Sequence, residues 1–255
     1  MRGIAVIAIV SDIHANLEAL EATLKDIRAQ NVTEILCLGD VIGYGPNPRE
    51  CLRIAMKECR FNLLGNHEQA VMQGPIGFNP KAKKAVEWTK EQLTAKEFPE
   101  AENLDFWKYL NSMPAQLTEG TILFVHASPL DPTNQYVVPM DAYNEAFIDE
   151  LMDVIPQIAF CGHTHIPGIF TQDYLFLSPQ DIDNEYIQGE KKLLVNVGSI
   201  GQPRDGDNRS CYILWDAEKR SVKYRRVEYD FETTIKKIEK SGLPETLGLR
   251  LARGV

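Results

Sequence analysis

Only five histidines occur in the 255-residue chain, and four of them lie within two residues of an Asp, Asn or second His able to bind a metal or move a proton. All five, including the fifth, His126, stand where apolar, strand-like segments end. The four segments read Ser-Asp12-Ile-His14, Gly-Asn66-His67-Glu, Val-His126-Ala and Gly-His163-Thr-His165. Histidines scattered over a surface would not show this regularity. The pattern therefore predicts one shared site.

The expected geometry of these segments brings carboxylate and imidazole groups together. Side chains two residues apart in an extended chain point the same way. Asp12 and His14 would therefore share one direction, as would His163 and His165. Asp40 in Leu-Gly-Asp and Asn66 in Leu-Gly-Asn end the next two predicted strands. The carboxyl ends of parallel strands meet in one crevice, where ligands bind. A set of carboxylate, amide and imidazole side chains without a thiolate suits Mn²⁺, Fe or Zn²⁺ better than Ca²⁺ or an iron–sulfur cluster.

Each motif alone has a more ordinary interpretation. An Asp-x-His segment is commonly a cap or a buried hydrogen-bonded pair, Gly-Asp is a common turn, and most His-x-His pairs bind no metal. Cys161, two residues before His163, is expected to be a packed strand thiol and not a ligand. Only the combination in this order is specific, and it comprises Asp12, His14, Asp40, Asn66, His67, His126, His163 and His165.

The elements that must position these residues can be read from hydrophobic periodicity. Residues 4–10 are a continuous apolar run typical of a strand buried on both faces. A helix capped by Asn16 should follow, with apolar residues at helical spacing. A strand at 34–40, a helix from Pro48 and a strand at 60–66 complete a β-α-β-α-β order. This alternation predicts a parallel sheet covered by helices.

The remainder of the chain predicts a helical insertion and a second, strand-rich half. Residues 75–113 contain two helix-like stretches, whose aromatic residues either pack on the main body or shape a substrate cleft. A further helix is expected near 141–154. Strands are expected at 121–126, 158–163, 193–198, 210–216 and 222–229. We expect one domain over residues 1–255, with two sheets packed together and helices outside.

Composition limits the classes of partner and compartment. With 36 acidic and 27 basic residues the net charge is −9, which disfavours a generic nucleic-acid-binding module and anionic membranes. The first apolar run ends at Val10, too short to span a bilayer and without a cleavage site. The five cysteines form no C-x-x-C pair and suit a reduced state. A cytoplasmic protein is expected, whose oligomeric state the sequence leaves open.

Taken in order, the motifs D-x-H, G-D, G-N-H-E, H and G-H-T-H resemble those of the calcineurin-like metallophosphoesterase superfamily. The segment from Gly198 to Gly206, which contains Arg204, is similar to the small bacterial and archaeal phosphoesterase branch. The resemblance implies an α/β (α+β) fold, a four-layer αββα sandwich of two mixed sheets flanked by helices. It also implies two divalent metals about 3.5 to 4 Å apart. Mn is expected first, with Fe, Zn, Ni or Co as alternatives.

The resemblance also implies a role for each motif residue. Asp40 would bridge the two metals. The other ligands would be Asp12, His14 and His165 for the first metal, and Asn66, His126 and His163 for the second. His67 would donate a proton or hydrogen bond to the leaving oxygen. Asn66 and Arg204 are candidate substrate contacts, and that of Arg204 is not part of the resemblance.

The implied reaction is hydrolysis of phosphomonoesters or phosphodiesters, small or nucleotide-like, by a metal-bound hydroxide. Protein phosphatases of the superfamily continue G-D-x-x-D-R-G, but this chain has Gly43 and Tyr44 in place of their Asp and Arg, which weakens that alternative. Arg204 is either a replacement contact to the phosphoryl oxygens or part of a structural salt bridge.

Other functions remain open at this point. A dinucleoside polyphosphate hydrolase would use insertion aromatics to stack on a base. A catalytically silent binding scaffold should have lost ligands or His67, and this chain retains them. A nuclease is disfavoured by the acidic balance.

Overall fold

The computed structural model describes residues 6–255, and its centre consists of two six-stranded mixed sheets. The first has the strand order β3-β2-β1-β11-β12-β9, in which β1, β2 and β3 are mutually parallel and the other pairs are antiparallel. Its strands are β1 (Val6–Val10), β2 (Glu34–Cys37), β3 (Phe61–Asn62), β9 (Glu185–Ile187), β11 (Ser210–Asp216) and β12 (Ser221–Val227).

The second sheet has the order β4-β5-β6-β10-β7-β8, with β5, β6 and β10 parallel. Its strands are β4 (Gln116–Glu119), β5 (Ile122–Val125), β6 (Ile158–Cys161), β7 (Gly168–Thr171), β8 (Phe176–Leu177) and β10 (Leu193–Asn196). Its β4–β5, β7–β8 and β7–β10 pairs are antiparallel. The expected parallel unit and the two mixed sheets are confirmed.

The two sheets face each other across an apolar core. Phe160 of the second sheet stacks on Phe124 and meets Trp215 of the first sheet edge-on, with ring centroids 5.5 Å apart in the latter pair. All three side chains are buried. Burying an aromatic or large aliphatic side chain stabilises a fold by about 1.5 to 3 kcal/mol, so this layer fixes the sheets against each other.

Helices cover both outer faces, as expected. Among residues 6–255 they are α1 (Leu17–Arg28), α2 (Pro48–Glu58), α3 (Asn66–Gln73), α4 (Pro80–Thr94), α5 (Glu100–Ser112), α6 (Glu145–Val154), α7 (Phe231–Ser241) and α8 (Glu245–Leu251), with a 3₁₀ turn at Pro139–Tyr143. Buried residues of α1 to α5 pack on the first sheet and those of α6 on the second. Asn16 caps α1 as predicted, because its Oδ1 accepts from the Ala19 amide.

The helical insertion is present as α4 and α5, and its aromatic residues pack inward. Phe106 is buried beneath the guanidinium of Arg49, and Trp88 contacts the cluster formed by α7 and α8. Trp107 and Tyr109 pack against the core under the first sheet. The interpretation of these rings as packing residues therefore fits the structure, and other residues of the insertion line the cleft described below.

Several boundaries differ from the sequence-based expectation. Residues 4 and 5 of the first predicted strand lie outside the described residues. The second strand ends at Cys37 instead of residue 40, and the third is limited to Phe61–Asn62, because the motif residues themselves form turns and the start of α3. The short strands β4, β7, β8 and β9 and the helices α3, α7 and α8 were not predicted. Strands of two to four residues are too short for a periodic signal.

Two smaller expectations concern membranes and cysteines. No helix within residues 6–255 is long and apolar enough to cross a bilayer. All five cysteines are free, four of them buried and Cys59 partly so. Cys161 lies in β6, packs with the α6 cluster and has its pKa raised by burial, which agrees with a packed thiol.

Candidate metal centre

The predicted site residues converge on loops that follow the inner strands. Asp12 and His14 follow β1, Asp40 follows β2, and His126 follows β5. His163 and His165 follow β6, and Asn66 and His67 open α3. All of them except Asn66 are buried. The structure therefore brings together the eight residues of the motif series, although they come from five separate segments.

The reason for their convergence differs from the expected strand alternation. Asp12, His14 and Asp40 have φ of 54°, 48° and 53°, and His163 and His165 have φ of 63° and 62°. These are left-handed conformations, which cost non-glycine residues of the order of 1 kcal/mol or more and concentrate at functional sites. Backbone bonds hold the turns, as in the donation from the His14 amide to the Asp40 carbonyl (2.9 Å).

One group of potential ligands consists of Asp12, His14 and His165. Asp12 Oδ2 accepts from the His163 amide (2.9 Å), which leaves Oδ1 free to face the site. That oxygen is buried, has no hydrogen-bond partner among the described residues, and lies 3.2 Å from His165 Nε2 and 3.7 Å from His14 Nε2. A buried carboxylate oxygen without a partner is costly unless a cation satisfies it.

The backbone fixes the tautomers of the ligand histidines. Nδ1 of His14, His126 and His165 donates to the carbonyls of residues 42, 38 and 202 at 3.2, 3.0 and 2.6 Å. His163 instead donates from Nε2 to the Asn134 carbonyl (3.1 Å). A carbonyl can only accept, so each neutral ring turns its other nitrogen, which carries a lone pair, towards the site. This arrangement is typical of metal-binding histidines.

Two of these bare nitrogens, His14 Nε2 and His165 Nε2, lie only 3.0 Å apart. Lone pairs at that distance repel each other unless a positive charge lies between them. Burial is the largest cause that lowers the pKa of His165 to about 4 and that of His163 to about 3, so it holds these two rings neutral. Neutral imidazole is the form that binds metal, so these residues fit a bound cation.

A second group consists of Asp40, His126 and His163. Asp40 Oδ2 lies 3.5 Å from His126 Nε2 and 3.6 Å from His14 Nε2, so one oxygen faces both groups. Asn66 Oδ1 is 3.2 Å from His126 Nε2. Burial, with the nearby Glu68 and Asp12, raises the pKa of Asp40 well above its usual range, an effect that bound cations would reverse.

Glu68 is a supporting residue that sequence reasoning missed. Its fully buried carboxylate accepts from the backbone amides of Asp40 (2.8 Å), Gly65 (3.0 Å) and Ile42 (3.1 Å). Burial raises its pKa to about 7 against the opposing effect of these amides. Glu68 thus ties the Asp40 turn to the start of α3. The available signal was its position at the third residue of a helix, where Glu commonly caps.

His67 lies beside the metal-ligand groups with one unsatisfied nitrogen. Its ring meets Tyr44 (centroids 4.4 Å apart) and Phe78 (5.1 Å), and its buried Nδ1 has no hydrogen-bond partner among the described residues. One of its nitrogens also lies within 4.8 Å of ligand atoms of His14 and Asp40. Burial, followed by the charges of neighbouring histidines and an arginine, lowers its pKa well below the ordinary value.

Gly43 explains one departure from the protein-phosphatase motif. Its φ is +90°, and a Cβ at this position would overlap the His67 ring. Only glycine leaves that space, so the imidazole occupies the volume that a side chain at residue 43 would need.

Arg204 reaches the same region without an acidic partner. Its guanidinium donates to Gln202 Oε1 (2.7 Å) and lies 5.8 Å from the Tyr44 ring centroid. Within residues 6–255 no carboxylate is at salt-bridge distance from it, so it does not form the structural ion pair that was one alternative.

A cleft of about 270 Å³ opens over the second group. Its walls include Asn66, His163, Phe78 and Tyr136. Tyr136 is 54% exposed and its ring lies 4.1 Å from that of His163. No motif identified Tyr136, because a lone loop tyrosine carries no periodic or spacing signal.

Comparison with known proteins agrees with this geometry. Residues 6–220 match the model of the calcineurin-like phosphoesterase superfamily domain. The chain is 36% identical over 258 residues to uncharacterized protein MJ0912 of Methanocaldococcus jannaschii, covering 98% of each chain.

Solved structures show the same fold across the whole chain. A metallophosphoesterase from Sphaerobacter thermophilus superposes with a TM-score of 0.81 at 32% identity, covering 99% of this chain and 100% of that one. The hypothetical protein PH1004 from Pyrococcus horikoshii OT3 has the same fold, with a TM-score of 0.76 at 21% identity and 99% of each chain covered. With its two mixed sheets, its flanking helices and its buried His and Asp groups, the chain belongs to the calcineurin-like phosphoesterase superfamily.

Proposed function

We propose that the protein is a binuclear metal-dependent phosphoesterase that hydrolyses small phosphomonoesters or phosphodiesters. The observation that carries the proposal is the position of Asp40 Oδ2, 3.6 Å from His14 Nε2 and 3.5 Å from His126 Nε2. A carboxylate oxygen shared between two groups of inward-facing imidazoles is the arrangement that two adjacent cations need. When bound, two divalent ions would lower the pKa of a water and neutralise the phosphoryl oxygens.

The proposed ligands follow the two groups. Asp40 would bridge both metals, with Asp12, His14 and His165 completing the first site and Asn66, His126 and His163 the second. Mn²⁺ is proposed, with Fe, Zn, Ni or Co as alternatives, because the donors are oxygen and imidazole nitrogen without thiolate. The five free cysteines are consistent with the proposed cytoplasmic location.

The chain's own residues would bind and orient the substrate. Asn66 projects into the cleft, where its amide would contact a phosphoryl oxygen as well as a metal. His67 would donate a hydrogen from its ring to the leaving oxygen, since one of its ring nitrogens lies within 4.8 Å of ligand atoms of His14 and Asp40. Such assistance is typically worth about 10² to 10⁴ in rate. The exposed ring of Tyr136 at the cleft offers a stacking surface for an aryl or nucleoside group.

Arg204→Ala is expected to raise KM or lower kcat roughly tenfold to hundredfold, because hydrogen bonds to charged groups contribute about 1.5 to 3 kcal/mol. Its metal content should not change, because the guanidinium is bonded to Gln202 and not to a ligand. Steady-state kinetics and metal analysis on the same sample check this. Arg253→Ala, at an exposed position in the last turn of the chain, is the matched control. Unchanged kinetics in a folded Arg204→Ala protein would leave Arg204 without a substrate role.

Asp40→Asn is expected to deplete both metals together, whereas Asn66→Ala should deplete the second only. A neutral amide at residue 40 lacks the second anionic oxygen that a bridging ligand needs. The Asn66 side chain contacts His126, a residue of the second group, so its loss should leave the first site intact. Elemental analysis after dialysis against limiting Mn²⁺ measures the difference. Full occupancy of both sites in Asp40→Asn would show that the bridge is assigned wrongly.

The function itself is tested by elemental analysis of the purified protein and by its hydrolysis of p-nitrophenyl phosphate and bis(p-nitrophenyl) phosphate. We expect two transition-metal ions per chain and hydrolysis of at least one ester. The ratio of the two rates identifies the preferred ester class. A protein that binds metal but hydrolyses neither ester, nor any nucleotide, would support the silent scaffold instead.

A further inference from the structure

A second cavity lies beside the cleft at the metal centre and shares part of its wall. Its volume is about 560 Å³, within the range of pockets that bind small organic ligands. Tyr44, Asn79 and Ala82 line both the cleft and this second cavity. Since Tyr44 also contacts His14 and His67, the cavity begins one side chain away from the metal ligands.

The charged residues that line this cavity are all basic. Lys81 of α4 and Arg250 of α8 lie in its wall, and no Asp or Glu does. Neither forms a salt bridge with an Asp or Glu side chain in the part of the chain that the structure describes; Arg250 Nε donates to the main-chain oxygen of Val255 (2.9 Å). In a chain of net charge −9, a cavity lined by two basic side chains and by no Asp or Glu indicates a place for an anion.

The N-terminal end of a helix and a threonine adjoin the same space. Asn79 caps α4 by accepting from the amides of Lys81 (3.1 Å) and Ala82 (3.0 Å), so the positive end of this 15-residue helix adjoins the cavity. Thr246 lines the opposite wall, and its buried hydroxyl has no partner among residues 6–255. Partial burial and the nearby charge of Arg204 lower the pKa of Arg250, which shows that the cations here crowd one another.

The C-terminal helices hold Arg250 firmly relative to the metal loops. Thr234 of α7 donates to Asn16 Oδ1 (3.0 Å), beside the first metal-ligand loop. Lys237 pairs with Glu18 of α1, and Leu247 packs with Tyr44 in one apolar cluster. The C-terminal helices, to which the sequence pattern assigned no function, thus place the basic side chain of Arg250 at the edge of the site.

We propose that this cavity binds a second phosphate group of the substrate while the scissile phosphate ester lies at the metal centre. This inference rests on the proposed phosphoesterase function and narrows its substrate class to small organic molecules bearing two separated phosphate groups. The side chains of Arg250 and Lys81 would bind the distal phosphate. Tyr44 would form the wall that separates the two phosphates.

The test compares two aryl esters with the same scissile bond. 4-Methylphenyl phosphate has no distal charge, whereas 4-(phosphonomethyl)phenyl phosphate carries a phosphonate that cannot be hydrolysed, and homologues with longer alkyl spacers vary the reach. With Mn²⁺-loaded protein we expect kcat/KM about tenfold or more higher for at least one phosphonate ester, because hydrogen bonds to charged groups are strong. A 4-(carboxymethyl)phenyl ester distinguishes phosphate recognition from a general preference for anions, and an equal advantage for it would overturn the assignment to phosphate.

Matched variants locate the effect. Arg250→Gln and Lys81→Gln should each remove most of the preference while leaving kcat/KM for the methylphenyl ester within about twofold, since neither side chain is placed at the scissile phosphate. The controls are Arg253→Gln, just after α8, and Lys84→Gln, on α4. Both residues are exposed, and both variants should keep the preference for the phosphonate ester. Equal kcat/KM across the series, or a preference that survives both cavity variants, would overturn the inference without touching the proposed function.

A binding measurement separates the two hypotheses if no ester is hydrolysed. Calorimetry with full-length protein compares 4-methylbenzylphosphonate with p-xylylene bisphosphonate, neither of which requires turnover. We expect the bisphosphonate to bind at least about tenfold more tightly and to lose that advantage in Arg250→Gln. Equal binding would refute the second phosphate site, and tighter binding without any hydrolysis would refute the phosphoesterase function alone.

Discussion

Thorough chelation is expected to stop phosphate-ester hydrolysis, and added Mn²⁺ is expected to restore it. The two ligand groups contain carboxylates and imidazoles but no Ser or Cys side chain that could attack phosphorus in their place. Without metal, the buried carboxylate of Asp12 also presents negative charge to an anionic substrate. Metal ions supply several kcal/mol of transition-state stabilisation as well as the nucleophile, so we expect activity to fall by about 10³ or more.

The measurement is the hydrolysis rate of an aryl phosphate before chelation, after dialysis with metal loss verified by elemental analysis, and after graded addition of Mn²⁺. Circular dichroism should change little, because the apolar layer around Phe160 and Trp215 does not depend on the metal ligands. Ca²⁺ should restore activity poorly, since it prefers oxygen ligands. Undiminished hydrolysis by protein proven to be free of metal would refute the metal-dependent mechanism proposed above.

His67→Ala is expected to keep both metals while kcat falls by roughly 10² to 10⁴ for esters with poor leaving groups. His67 directly follows Asn66, but its backbone amide donates to Asp40 Oδ1 (2.9 Å) and its ring projects between Tyr44 and Phe78. A phenol of low pKa needs little protonation as it departs, so the loss should be smaller for a p-nitrophenyl ester than for an alkyl ester. Kinetics on both esters, with metal analysis, measure these effects.

Different outcomes assign different roles. Equal losses on the two esters would favour stabilisation of the phosphoryl oxygens over proton donation. Loss of a metal would place His67 among the ligands, next to His14 and Asp40, whose ligand atoms are within 4.8 Å of one of its nitrogens.

Gly43→Ala offers a second perturbation of His67 that leaves its imidazole chemistry intact. A Cβ there would displace the ring, so we expect a similar selective fall in kcat. Gly74→Ala is the control, because its φ of +107° imposes comparable backbone strain with no atom within 4 Å of the added Cβ.

The types and the order of the site residues were determined by the sequence alone. Metal-ligand chemistry needs particular side chains, and Asp, Asn and His placed at the ends of apolar segments are visible without coordinates. The β-α-β-α-β start and the later strands such as β11 were also predictable, because buried strands require continuous apolar runs.

Supporting residues were not predictable, because their roles depend on contacts between distant segments. Glu68 hydrogen-bonds to backbone amides 26 and 28 residues away, and backbone amides carry no sequence signal. Arg250 reaches the cavity beside the cleft only through the packing of α7 and α8 on α1 and Tyr44, which local periodicity does not encode.

Only the tertiary structure decided how the ligands face one another. The expected alternation along extended strands was the wrong reason for their convergence, since Asp12, His14 and Asp40 occupy left-handed turns. Residues other than glycine hold that conformation only when surrounding contacts compensate its cost. Here one compensating contact joins Asp12 Oδ2 to the His163 amide, 151 residues away in the chain. The sequence alone therefore determined which groups could bind metal, and long-range hydrogen bonds decided where each nitrogen and oxygen points.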